Sequence, residues 1–532
     1  MSKNLKMVMQ VLMFTLLILG MSAPSWAASY YVSGGGSDTG AGTESSPWKT
    51  VGKANGVARA GDTIFIKSGY SYGAMSAISG STGSYVTYAA YGTGTKPEFS
   101  NANISGKSWI KFQGLKFLSR SSGVFPVIIQ NNSSYIWVDS CEVYAETSVY
   151  AVLRIYMNSH HNKITNSTIA HKYFSAQNDA LNLKLNANNN LIEGNTIGTG
   201  THYALTLEGN DASHPTYTAN NNIIRNNIIT NPQGAMVELM SDSNRNVVEG
   251  NKITGGKSSS YCNNSPTSFK NVSSYNIIRN NIIHTNTQST GSGLHSMVYQ
   301  YGSAPPNIAV GNRSYNNLIT GIVSYPLALD NNEAQTPENV AASNNVFKNN
   351  LVYNNGSKYQ LYIGNWPMIK DNFFFNNIFY NSLTQSVLSI KGALSNVATA
   401  ESRDPAHFAD NLQVDPKYDK ATWKPLAGSP VIDAGTFLTK VKSGSTGTTV
   451  SLEDASYFHD GFGVADGDTV QIGSVKRLVV DVNYSTNVIT VDSPATWTAG
   501  TPVSLPYAGS KPDIGPSELM NVLPAPRNLI VR

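Results

Sequence analysis

The sequence predicts an all-β fold: a right-handed parallel β-helix with an N-terminal capping helix and a small β-domain inserted near the C-terminus. Three observations predict it. An Asn-centred motif returns between residues 107 and 391, apolar residues flank each Asn at alternating positions, and the composition is one of short strands and turns. Gly, Asn, Ser, Thr and Tyr are abundant while long runs of Ala, Glu, Lys and Leu are missing, a balance that favours many short strands over helices.

The motif runs Leu191-Ile-Glu-Gly-Asn195-Thr-Ile197 and returns around Asn227, Asn251, Asn281, Asn350 and Asn377. Weaker copies occur at Lys111 to Phe117, Trp137 to Val143 and Lys163 to Ile169, with one more placed around Asn312. Successive copies lie about 24 to 38 residues apart, which suits one turn of three short strands with variable loops better than a helical repeat. Apolar positions alternate with period two, as in strands. An Asn at one place in every turn can stack its amide on those above and below and so satisfy buried donors and acceptors.

The chain divides into five parts. Residues 1–27 carry Lys3 and Lys6, an apolar run from Val8 to Met21 and the small-x-small end Ser25-Trp26-Ala27, the pattern of a secretory signal peptide. A secreted, extracellular or periplasmic location is therefore expected. Residues 28–106 form the N-terminal cap and first turns, with a short amphipathic helix from Ser46-Pro47-Trp48 to about Ala58 that covers the open core end through Trp48, Val51 and Val57. The parallel β-helix follows over 107–435. Residues 436–512 read as an inserted β-domain with strands around Val470, Leu478 and Val488; carbohydrate binding is one role for it, and packing against the terminal turn is the plainer one. A closing strand and tail occupy 513–532.

Removing the two signal-peptide lysines takes the formal charge from +4 to +2, which makes nucleic acid a poor partner. No later segment is apolar enough to span a membrane, and nothing in the pattern calls for a second chain, so a monomer is expected. Cys141 and Cys262 are too few for a disulfide framework; Cys141 falls in a regular rung and Cys262 in a long excursion, and two separate thiols are favoured over a bond.

Strand alternation separates inward from outward side chains after each Asn motif. Leu153 and Ile155 point in and Arg154 out; the leucines of Asp179 to Leu185 put Asn182 and Lys184 out; Thr206, Glu208 and Glu238 follow by the same parity. Arg154, Lys184, Glu208 and Glu238 are therefore expected as one column, one residue per rung, with neighbours about 5 Å apart. His295, Tyr299 and Tyr325 extend this wall, Tyr150, Tyr156, Tyr173 and His202 line its sides, and the loops at 255–270 and 284–292 form rims. Such a groove suits a polysaccharide, with Asn182, Thr206, His202, His295 and Tyr299 as binding residues. Alternating charges on adjacent strands also pair favourably without any catalysis. Yet charged residues make up only 13% of the chain, so four on one register call for an account. His160, His161, His171 and His459 lack metal-ligand spacing and read as surface or turn residues.

Two resemblances add to this reading. Tyr30-Tyr-Val-Ser33, Ser46-Pro-Trp48, Ala60-Gly-Asp-Thr63 and Tyr91-Gly-Thr-Gly94, with Asn411 to Pro416, Ala427 to Gly435 and Asp513-Ile-Gly515, resemble the opening and closing signatures of secreted bacterial β-helix proteins. Asp179-Ala-Leu-Asn-Leu-Lys184, followed by Ala204-Leu-Thr-Leu-Glu208, resembles the polysaccharide lyase family that contains alginate lyases and chondroitinase B. That resemblance implies that Lys184 is the base that removes the proton beside a uronate carboxylate and that Asp179 is a Ca²⁺ ligand. It departs from the family at Glu208, where the family has Arg, and at Gln177, where it has a second acidic ligand.

The functional expectation is a lyase of acidic polysaccharide that uses Lys184, with Ca²⁺ held by Asp179, Glu208 or Glu238. A non-catalytic glycan-binding or adhesive β-helix is the second class. A glycoside hydrolase using Glu208 and Glu238 is the third, since a retaining pair needs that short separation.

Overall fold

The computed structural model describes residues 27–172, 178–198, 202–231, 235–255, 267–284, 292–298, 308–323, 325–331, 342–356, 359–365 and 369–516. Residues 1–26, Tyr173, Gln177, Cys262, Tyr299 and the tail after 516 lie outside these, as do most of both expected rim loops. Among the described residues, three sheets of fourteen, eleven and thirteen strands, parallel except for the last pair of the third, wind around one core. Lys163–Thr165 lies in the first sheet, Thr168–His171 in the second and Asp179–Lys184 in the third, before Leu191–Glu193 returns to the first. Side chains such as Ile164, Ile169, Leu181 and Leu183 fill the interior and are fully buried.

The Asn motif forms the corner between the first and second sheets. Asn195 Nδ2 donates to Asn227 Oδ1 at 3.0 Å, Asn227 to Asn251 at 2.9 Å and Asn251 to Asn281 at 3.0 Å. The chain of amides continues through Asn317, Asn350 and Asn377 to Asn411. The residue before each of these turns left-handed: Asn226 has φ 57° and Gly250 φ 63°. Only Gly and Asn take that conformation readily, which explains the Glu-Gly-Asn and Arg-Asn-Asn spellings. The weak early copies place Cys141 and Ser167 at the same corner, where Cys141 N donates to Ser167 Oγ and Ser167 N to Asn195 Oδ1.

A second ladder, not read from the sequence, runs along the corner between the third and first sheets. Asn162, Asn190, Asn222 and Asn246 are linked by Nδ2 to Oδ1 bonds of 3.0, 3.0 and 3.1 Å. Asn312, expected in the first ladder, belongs here and bonds to Asn345, while Asn317 fills the first-ladder place. The signal was present: an Asn stands directly before each apolar pair at 191, 223, 247 and 277.

Both ends of the core are covered. The N-terminal helix is shorter than expected, Val51–Asn55, with Thr50 Oγ1 accepting from Lys53 N at 3.1 Å. Trp48 is buried and stacks on Tyr30. At the other end the helix Val397–Arg403 buries Val397 and Ala400 against the last rung.

Thr439–Ser443, Ser445–Leu452, Thr469–Ile472, Val475–Asn483, Val488–Trp497 and Pro502–Ser504 close into an antiparallel barrel. Among the described residues its core joins the helix at the middle rungs. It covers the outward face of the first sheet, where Leu191, Ile223, Val247, Ile277 and Tyr315 share one buried cluster with barrel residues. The doubled pairs Ile223-Ile224 and Val247-Val248 follow from this, because those strands are buried on both faces. Under the barrel, Arg279 bonds to Glu249, Asp468, His459 Nε2, Tyr315 Oη and the Tyr457 carbonyl. Glu249, His459 and Asp468 approach as metal ligands do, but the guanidinium bonds to all three and makes the cluster a clamp. His459 and His171 are therefore interior residues, not surface ones, at 1% and 2% exposure.

Candidate functional site

The outward face of the third sheet carries the expected residues, in two columns rather than one. Register pairs Arg154 with Asn182, Asn182 with Thr206 and Thr206 with Glu238. Tyr156, Lys184, Glu208 and Met240 form the neighbouring column. Strand alternation fixes the face of a residue and leaves its offset along the strand open by two, so Lys184 and Asn182 were equally outward. One consequence is that Glu208 and Glu238 are diagonal across adjacent rungs, roughly 7–8 Å apart at the backbone, and not directly opposed.

Arg154 closes the N-terminal end of the first column. Its guanidinium lies 3.9 Å from the Tyr156 ring centre, 4.8 Å from Tyr150 and 5.7 Å from Phe125. Nε donates to Asn182 Oδ1 at 3.1 Å, and among the described residues no carboxylate pairs with it. Thr206, two rungs on, is buried with a hydroxyl that has no partner among the described residues. Glu238 is 3% exposed.

In the second column Lys184 Nζ meets Glu208 Oε1 at 2.8 Å, both side chains being mostly buried. Burial pushes the Glu208 carboxyl above its ordinary range; Lys184 opposes that push and the Glu238 and Asp179 charges add to it. Asp179 stands at the start of its strand, its Oδ1 taking His202 Nδ1 at 2.9 Å and the Tyr203 amide at 3.2 Å, its Oδ2 taking Asn182 Nδ2 at 3.4 Å. His202 is thus a partner of Asp179 at the sheet edge.

Asp179, Glu208 and Glu238 do not converge as a cation cage. The one group of three with ligand atoms within 4.8 Å among the described residues is the Arg279 clamp. Asp179 and Glu208 are already engaged as above, so the residues expected to hold Ca²⁺ do not fit it as arranged. Farther along, the backbone of Lys270 follows Glu238 and that of His295 follows Lys270; sequence reasoning passed over Lys270. The side chain of His295 lies outside the described residues. Tyr325 gathers with Tyr359 and Tyr362, ring centres 6.1 and 4.7 Å away.

Residues 100–271 match a family model described as a right handed beta helix region. The fold is a right-handed parallel β-helix. No curated protein matches the chain in sequence. Solved β-helix structures resemble it at low identity. A pectate lyase, Pel9A, is 15% identical with a TM-score of 0.42, over 78% of this chain and 92% of its own. A lacto-N-biosidase from Eubacterium ramulus is 13% identical with a TM-score of 0.46, over 68% and 65%. An alginate lyase from Paenibacillus sp. str. FPU-7 is 12% identical with a TM-score of 0.42, over 64% and 99%. No helix among the described residues is long and apolar enough to cross a membrane.

Proposed function

We propose that this β-helix is an extracellular carbohydrate-active protein that cleaves uronate-containing polysaccharide by β-elimination. The observation that carries the reading is Arg154, an aromatic-flanked guanidinium without a carboxylate partner among the described residues, beside the buried Lys184–Glu208 pair. β-Elimination needs the uronate carboxylate neutralised, a base for the C5 proton and a proton for the departing O4. Arg154 meets the first need, since its planar fork matches a carboxylate.

Lys184 and Glu208 meet the other two. Burial raises the Glu208 carboxyl above its ordinary range and so favours its taking a proton from the amine it touches. Proton transfer from Lys184 Nζ to Glu208 Oε1 leaves an amine that takes the C5 proton. The freed electron pair forms C4=C5 as the C4–O4 bond breaks, and the Glu208 acid protonates O4. The pair ends as ammonium and carboxylate, as it began. Glu208 thereby takes a role where the family resemblance has Arg, and no step runs through a metal.

The test is the ultraviolet absorbance of unsaturated uronates released from alginate, pectate and chondroitin. Wild type should raise it on at least one polymer, with or without a chelator, and Lys184→Ala should abolish the rise. Wild-type rates in Lys184→Ala would remove the base assignment. New reducing ends without absorbance would mean hydrolysis, and glycan binding without any product a non-catalytic binder.

A further inference from the structure

The corner between the third and first sheets repeats a left-handed residue on rung after rung. Asn189, Asn221, Gly311, Asn344 and Asp371 hold it with φ between 53° and 68°, as residue types that tolerate it. Arg245 holds it at φ 55°, and Phe462 on the facing barrel loop at φ 51°. Trp109, Tyr135, His161 and Tyr275 hold it on other rungs as well, so what distinguishes Arg245 and Phe462 is the surface they share.

Both line a cleft of about 460 Å³ between helix and barrel, together with Asn221, Asp460, Asp481 and Tyr484, a volume in the range of ligand sites. The Arg245 guanidinium lies over the rings of Tyr484 and Tyr275, 4.9 and 5.3 Å from their centres. The Tyr484 hydroxyl is tied to the Phe458 carbonyl at 3.0 Å, which fixes that ring. The side chains of Asn221, Arg245 and Asp481 form no hydrogen bond with the described residues, whereas Asn189 one rung earlier is spent on the Phe462 carbonyl. An amide, a guanidinium and a carboxylate thus face one cavity with bonding capacity to spare, beside aromatic faces. That combination suits a sugar ring, whose C–H faces pack on aromatics and whose hydroxyls both donate and accept. Asp460 and Asp481 outnumber Arg245 in charge, and this disfavours a uronate.

We infer that the seam cleft is a second glycan site and takes a neutral sugar unit, separate from the outward face of the third sheet. The full chain is run in native affinity gels containing xylan, β-glucan, galactan or alginate. Wild type should be retarded by at least one neutral polymer. Arg245→Ala and Asp481→Ala, both solvent-facing positions, should each weaken that retardation roughly tenfold with unchanged melting temperatures, while Lys184→Ala should bind as wild type does. The inference is overturned if no neutral polymer retards wild type, if both seam variants bind as wild type does, or if the seam variants lose alginate retardation alone. The lyase reading stands or falls separately, on product absorbance.

Discussion

Replacing Asn227 by Leu removes one link of the first ladder while keeping the volume close to the original. Its Oδ1 accepts from Asn195 N and Nδ2 at 2.9 and 3.0 Å, and its Nδ2 donates to the Ile192 carbonyl at 3.0 Å. Asn251 Oδ1 keeps the Asn227 amide as a donor and Asn195 Nδ2 keeps the Ile164 carbonyl as an acceptor, so two buried groups, the Asn195 amide and the Ile192 carbonyl, lose this partner. At about 1–2 kcal/mol for each such group, the loss is about 2–4 kcal/mol. Asn246 offers an internal comparison. It accepts from Asn222 N and Nδ2, but its own Nδ2 has no partner among the described residues. Asn222 Nδ2 keeps the Ala187 carbonyl, so Asn246→Leu orphans one group and relieves one, for about 1 kcal/mol or less. Urea unfolding followed by tryptophan fluorescence measures both midpoints. If Asn246→Leu proved equal to or more damaging than Asn227→Leu, the count of lost partners would not be what sets ladder stability.

Three further outcomes are expected. Burial holds His171 down to about 4 from an ordinary 6.5. Its neutral form therefore stabilises the fold fully above pH 6.5, and that contribution, up to about 3 kcal/mol, is lost as pH falls through 4. His171→Met should flatten the fall of melting temperature between pH 7 and 4, and an unchanged fall would contradict this. Cys141 is buried and its thiol is pushed up to about 12, so in a Cys262→Ser background a disulfide reagent should label it only after urea is added. Arg279→Met leaves Glu249 and Asp468 buried together without their cation, a loss of about 3–5 kcal/mol; proteolysis near Thr436 should speed up, and unaltered resistance would argue that the clamp does not hold the barrel.

The fold was legible because one Asn must bond to the next through a fixed corner, and that requirement is written into each rung as the same few letters. The second ladder is written as plainly, one residue before each apolar pair, but the left-handed position ahead of it varies between Asn, Gly, Arg245 and Tyr275 and so blurs the pattern. The site was legible only by face. Period-two alternation shows that Arg154, Lys184, Glu208 and Glu238 point outward, while loops of unequal length hide which of them share a column. The seam was hidden for a different reason: Arg279 and Asp468 lie far apart in sequence and meet only because the barrel folds back over the helix.

The corner between the first and second sheets and the two corners that flank the third obey different rules of length. Crossing from first to second sheet takes a two-residue step such as Gly194-Asn195 or Asn226-Asn227. Among the described residues the corner from second to third sheet has no continuous ladder, and its spans range from the single residue between Phe99 and Asn101 to the long link between Gly255 and Thr267. Length variation in the chain is thereby kept out of the corner between the first and second sheets and falls on the two edges of the third sheet. New loops can be added there, and groove shape rewritten, without disturbing the alignment of any rung with the next.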